Sequence, residues 1–203
     1  RRQAPRPLMS LELYLHPLAS FCWKAIIALY ENGTPFEPRI IDLANAQSRA
    51  SLAKLWPVCK FPVLRDHARD KTVPESTIIV EYLMRHYPGK ADLIPEGKDI
   101  EWRTRLQDRF YDAYVQEPMQ KIVADRLRPA GMKDAAGVEQ AKAALLTAYG
   151  MINEDMETKT WAMGNTFTMA DCAASPALFY GDLVIPIDEA YPNVAAYLSR
   201  LKA

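Results

Sequence analysis

Phe61-Pro62-Val63-Leu64 and, fourteen residues on, Glu75-Ser76-Thr77-Ile78 decide how this chain is read. The first string puts a proline at the mouth of a short apolar run, a place where proline fits only at a strand start, an edge or a bulge. Pro62 to Arg65 and Lys71 to Val73 flank a polar turn containing Asp66, His67 and Asp70, which predicts an antiparallel hairpin. Glu75-Ser76 then opens an apolar helix that runs to His86, where Tyr87-Pro88-Gly89 breaks it. First-turn N–H groups of a helix have no intrahelical partners, so such a start is a place for an anion.

Upstream, Leu11, Leu13 and Leu15 alternate with Glu12, Tyr14 and His16, the period of a strand with one buried face, and Pro17 ends it. From Ser20 the residues Phe21, Ile26, Ile27 and Tyr30 recur at helical spacing until the stop signal Asn32-Gly33. Phe36 to Ile41 reads as a second strand and Ser48 to Leu55 as a short helix before Pro57. The resulting order, βαβαββα, matches an α/β thioredoxin-like domain over residues 9–87, with Met9 read as the native start. Residues 88–97 carry a second proline and little periodicity and read as a linker.

Residues 98–203 read as all-helical. Trp102, Leu106, Phe110 and Tyr114 recur every fourth residue with Tyr111, Val115 and Ile122 beside them, and this stripe reads as core or dimer surface. Pro118 should kink or restart that helix, and Arg128-Pro129-Ala130-Gly131 should close it. Further helices are predicted over Val138 to Met156, Met169 to Tyr180 and Val194 to Leu201. Ahead of the second of these, Thr168 and Asp171 have capping-box spacing and Phe167 can staple the entry, a structural motif.

Composition narrows the function classes. Twenty-five basic residues balance twenty-five acidic ones, so no net field draws nucleic acid or an anionic membrane. No apolar run approaches the roughly 20 residues of a membrane span. Three isolated cysteines, Cys22, Cys59 and Cys172, give neither a disulfide framework nor zinc-ligand spacing and point to a cytoplasmic, reducing setting. The three histidines form no ligand cluster, so no metal is expected.

Taken with Ser20-Phe21-Cys22-Trp23-Lys24 at the first helix start, the two opening strings resemble the glutathione-binding half of the glutathione S-transferase family, and Gly164-Asn165-Thr166-Phe167-Thr168-Met169-Ala170-Asp171 resembles its helical-domain signature. The resemblance implies a cytosolic homodimer of the serine type, with an α/β thioredoxin-like domain followed by an all-α domain that contributes the acceptor pocket. It implies a cis Phe61-Pro62 bond, with the Phe61 backbone pairing the cysteinyl part of glutathione. Ser76 and adjacent amides would hold the γ-glutamyl carboxylate while Glu75 accepts from its ammonium group. Lys60 is the candidate for the glycyl carboxylate, with Gln47 and Arg49 as weaker ones. Asp108 stands where several classes place an acid that reaches glutathione across the dimer. The acceptor pocket would draw on His16 and Leu18 from one side and Tyr111 and Tyr114 from the other. Glutathione is then a co-substrate, a small electrophile the other partner, and no bound cofactor is implied.

Ser20 caps its helix on the local reading and donates to the glutathione sulfur on the family reading. Lowering a thiol pKa from about 8.5 by two units needs roughly 2.7 kcal/mol of preference for the thiolate. A hydrogen bond to a charged group supplies about 1.5–3 kcal/mol and a helix N-terminus about 0.3–2 more. Tyr14 and Cys22 are rivals, the cysteine through mixed-disulfide chemistry. Trp56, Cys59 and Phe61 depart from the family pattern, and Phe61 narrows the pocket. Two alternatives stay open: a glutathione-dependent isomerase or dehalogenase, and a non-catalytic interaction module of the same fold.

Overall fold

The computed structural model describes residues 10–203; the reading of Met9 as the start falls outside the described residues. The chain divides into two compact units, one ending at Ala91 and one running Asp92–Ala203.

The first unit follows the order β1 (Leu11–Leu15), α1 (Ser20–Asn32), β2 (Glu37–Ile40), α2 (Ala46–Leu55), β3 (Val63–Asp66), β4 (Lys71–Pro74) and α3 (Ser76–His86). Its sheet has the order β2-β1-β3-β4, with β2 parallel to β1 and the other two pairings antiparallel. Leu11, Leu13 and Leu15 pack on one face against Cys22, Ala25 and Leu29 of α1 and Ile79 and Leu83 of α3. The opposite face holds Ile41, Leu52 and Val63, with Trp56 and Phe61 against them. This is the α/β thioredoxin-like arrangement that the element order predicts.

β1 is central, so both its faces are covered, and here the one-face reading needs correction. Glu12, on the polar side of the alternation, is only 5% exposed. It accepts from Arg39 Nε at 3.0 Å and Tyr14 Oη at 3.2 Å and lies 3.0 Å from His67 Nε2. Burial works against its charge, but the bonds from Arg39, His67 and Tyr14 outweigh it and hold the carboxyl below the usual range. α1 stops at Gly33, whose φ of 70° lets the N–H groups of Gly33 and Thr34 turn back to the Tyr30 and Leu29 carbonyls at 3.0 and 2.9 Å. At the end of β3, Asp66 is fully buried, accepting from Arg69 N at 3.1 Å and from the Tyr82 and Tyr87 hydroxyls, each at 2.7 Å. The last residue of β3, read from sequence as part of the turn, thereby pins the hairpin to α3.

The second unit contains α4 (Lys98–Phe110), a π-helical segment (Tyr111–Gln116), α5 (Glu117–Leu127), a 3₁₀ turn (Ala130–Met132), α6 (Ala135–Asp155), α7 (Met169–Val184) and α8 (Pro192–Lys202). Pro118 lacks an N–H and its ring would crowd the carbonyl four residues back, inside the widened π turn; the helix restarts at Glu117 with the proline in its first turn. α7 is the hub: Ala173, Ala174, Ala177 and Leu178 are buried among Val115, Leu145, Tyr149 and Tyr197. Gly181 lets the Tyr149 hydroxyl approach, since a Cβ there would sit 2.6 Å from it.

Thr168 and Asp171 form the expected capping box: Asp171 Oδ2 accepts from Thr168 N at 2.8 Å, and Thr168 Oγ1 from Ala170 N at 3.3 Å. Asp171 Oδ1 also accepts from Ala162 N at 2.8 Å and from the Tyr197 hydroxyl at 2.6 Å. Burial still leaves its carboxyl above the usual range. The stretch read as a linker is tied down within each unit: Lys90 N donates to Asn32 O at 3.0 Å in the first, and Met169 N to Leu93 O at 2.8 Å in the second. Among the described residues no helix is long and apolar enough to cross a membrane.

Candidate active site

Three local structures in the first unit hold the residues singled out from the sequence. The loop after β1 closes by Ala19 N donating to His16 O at 3.0 Å and Trp23 Nε1 donating to Pro17 O at 2.7 Å. Ala19, not Ser20, occupies the N-cap with extended dihedrals, and Cys22 and Trp23 both donate to its carbonyl. Ser20 is therefore the first helical residue and 5% exposed; the expectation that its hydroxyl caps α1 is corrected, because its backbone has already entered the helix. One turn on, Lys24 is fully buried, with Nζ donating to Thr77 Oγ1 at 2.7 Å.

The second structure is the approach to β3. The Phe61-Pro62 peptide is cis. The β1–β3 register starts with Val63 opposite Tyr14, so Phe61 precedes the ladder. The Phe61 ring stacks on His16 at 5.8 Å with 19° between planes, while Lys60 is exposed. The third is the start of α3. Glu75 is the N-cap at φ 70°, ψ 122°, without a side-chain cap bond; its own side chain is exposed, and Ser76 is buried. The first intrahelical bond runs from Ile79 N to Glu75 O at 2.9 Å, so the amides of Ser76, Thr77 and Ile78 have no acceptor within the helix.

The rivals for thiol activation fare differently from Ser20. Burial pushes the Cys22 thiol up to about 12, which leaves it protonated and unreactive at neutral pH. Tyr14 gives its hydroxyl to Glu12, and burial together with that negative charge raises its pKa. Leu18 is 72% exposed beside the same loop.

In the second unit the three residues singled out from sequence separate. Asp108, the acid expected to reach glutathione across a dimer, is fully buried within its own chain. Tyr111, 2% exposed, hydrogen-bonds Tyr197 beside Asp171 in the helical core, and burial raises its phenol. Tyr111 also lines a cavity with Leu106, Phe110 and Met151. Tyr114 is 57% exposed and remains open to a ligand. Sequence reasoning missed the Lys24–Thr77 contact; a lysine on the apolar face of α1, four residues after Ser20, was the signal for it.

Comparison with known proteins agrees with this geometry. The family model for the N-terminal domain of glutathione S-transferases matches residues 13–91, and that for the C-terminal domain matches residues 110–203. A theta-1 glutathione S-transferase of Bos taurus is 39% identical over 204 residues, spanning 96% of this chain and 83% of that protein. The chain belongs to the glutathione S-transferase family. A theta-3 glutathione S-transferase of Mus musculus is 27% identical over 96% of this chain and 83% of its own. Among solved structures, a glutathione S-transferase from Methylobacillus flagellatus with GSH bound has a TM-score of 0.85 at 25% identity, covering 94% of each chain. A delta-class glutathione transferase from Nilaparvata lugens, 20% identical and covering 95% of this chain and 88% of its own, shares the fold at a TM-score of 0.83.

Proposed function

We propose that this glutathione S-transferase family member activates the thiol of glutathione at Ser20 for attack on a small, electrophilic, mostly apolar acceptor. The observation that carries the reading is the mouth of α3: a non-glycine residue held at φ 70°, an exposed carboxylate on it, and three amides without intrahelical acceptors behind it. An ammonium paired with Glu75 and a carboxylate on the Ser76 amides together fit an α-amino acid zwitterion, the free end of glutathione. Phe61, set before the ladder by Pro62, offers backbone groups to the cysteinyl unit, and Lys60 lies exposed for the glycyl carboxylate.

Ser20, in the first turn of α1, then donates to the sulfur and favours thiolate with the help of the helix N-terminus. Within the first unit, the stacked His16 and Phe61 rings and the exposed Leu18 give the acceptor apolar surface. The protein acts as a cytoplasmic homodimer in detoxification chemistry; supporting the dimer are Trp102, Leu106 and Met151, each more than half exposed, the last two lining a cavity of about 590 Å³ between α4 and α6. The test is titration with glutathione while thiolate absorbance in the ultraviolet is followed. Saturable growth of the thiolate band near neutral pH is expected, and binding without it would remove the role given to Ser20.

A further inference from the structure

Lys24 has no exposed surface, and a lysine is almost never fully buried without a specific use for its ammonium. Its helix, α1, packs against α3 on the same side of the sheet. Lys24 lies four residues after Ser20, so both side chains rise from one face of α1. The ammonium ends 2.7 Å from Thr77 Oγ1, on the second residue of α3 and immediately behind Ser76. An apolar side chain would bridge the two helices equally well without the cost of taking an ammonium out of water.

We infer that Lys24 is a positioning residue for the anion at the mouth of α3: through Thr77 it fixes the first turn of that helix and places a positive charge behind the Ser76 amide. Helix start and ammonium then act on the anion with the same sign. This rests on the reading of Glu75-Ser76 as the γ-glutamyl site. Nothing in the role involves proton transfer or contact with the ligand.

Two ligands separate this role from simple packing: glutathione, and 4-aminobutyryl-cysteinyl-glycine, which keeps the amine, thiol and glycyl carboxylate but lacks the γ-glutamyl carboxylate. By calorimetry, Lys24→Met should weaken glutathione about 10-fold and leave the analogue within about two-fold of its wild-type affinity. Lys24→Arg should recover most of the glutathione affinity, because it restores the charge. Thr77→Val, a smaller change to the core, should show the same selectivity at about three-fold and decides the matter if Lys24→Met does not fold. Equal losses for both ligands, or glutathione affinity unchanged in these variants, would overturn the inference while the wild type still binds glutathione. A wild type that does not bind glutathione would instead bring down the site assignment, and this role with it.

Discussion

Ser20 and Cys22 lie two residues apart on α1, yet the proposed function gives them opposite parts. Ser20→Ala should leave glutathione affinity within a few-fold while raising the bound thiol pKa by about one to two units, with conjugation at neutral pH falling roughly 10-fold. Cys22→Ala should change little, since burial keeps that thiol protonated. Spectroscopic titration of both variants checks this; an unaltered titration for Ser20→Ala alongside loss of activity for Cys22→Ala would reverse the assignment. Asp66 gives a pH test. Burial alone would raise its carboxyl, but Tyr82, Tyr87 and the Arg69 and Ala68 amides outweigh it and lower the pKa. A folded pKa below the unfolded value gives stability that is present above about 4 and lost as pH falls through the folded pKa. Thermal unfolding from neutral to acid pH should therefore show a shallower acid decline in Asp66→Asn, alongside a lower melting point at neutral pH. The roles of Asp66, Glu12 and Lys24 were not legible in the sequence because their partners are remote in the chain: 16 residues for Asp66 with Tyr82, 27 for Glu12 with Arg39, 53 for Lys24 with Thr77.

Elements were legible where a local rule governs them. Period-two leucines marked β1, Asn32-Gly33 ended α1, and Thr168 with Asp171 opened α7, because each signal acts within a turn or two of chain. Periodicity alone does not say what covers a stripe. Trp102, Leu106 and Tyr114, read as core or dimer surface, stand more than half exposed in the single chain, while Thr104 and Asp108 on the same run are buried. The cap of α7 shows how much one local signal can support. Asp171 accepts from Ala162, Thr168 and Tyr197, so Asp171→Ala would leave several buried donors unpaired and should cost roughly 3 kcal/mol or more. Urea unfolding followed by circular dichroism measures this; a loss under about 1 kcal/mol would show that water or neighbouring groups replace the carboxylate.

On the scale of the molecule, balanced charge gives copies of the chain no net field to keep them apart, and α4 and α6 present an apolar face. Leu106, 54% exposed, is the place to test the proposed dimer. Leu106→Glu should give monomers in sedimentation velocity at concentrations where the wild type is dimeric, with unchanged helical content; a dimer that survives would move the interface elsewhere. The left-handed backbone at Glu75 has a wider consequence. Holding a side-chain-bearing residue at φ 70° costs about 1–3 kcal/mol, a sizeable share of the roughly 5–15 kcal/mol by which a whole protein stays folded. Thermostability and ligand capture therefore compete at this one codon. A screen for heat-resistant variants should select Glu75→Gly, raising the melting temperature by a few degrees, and the same clones should be poor at retaining glutathione on a column.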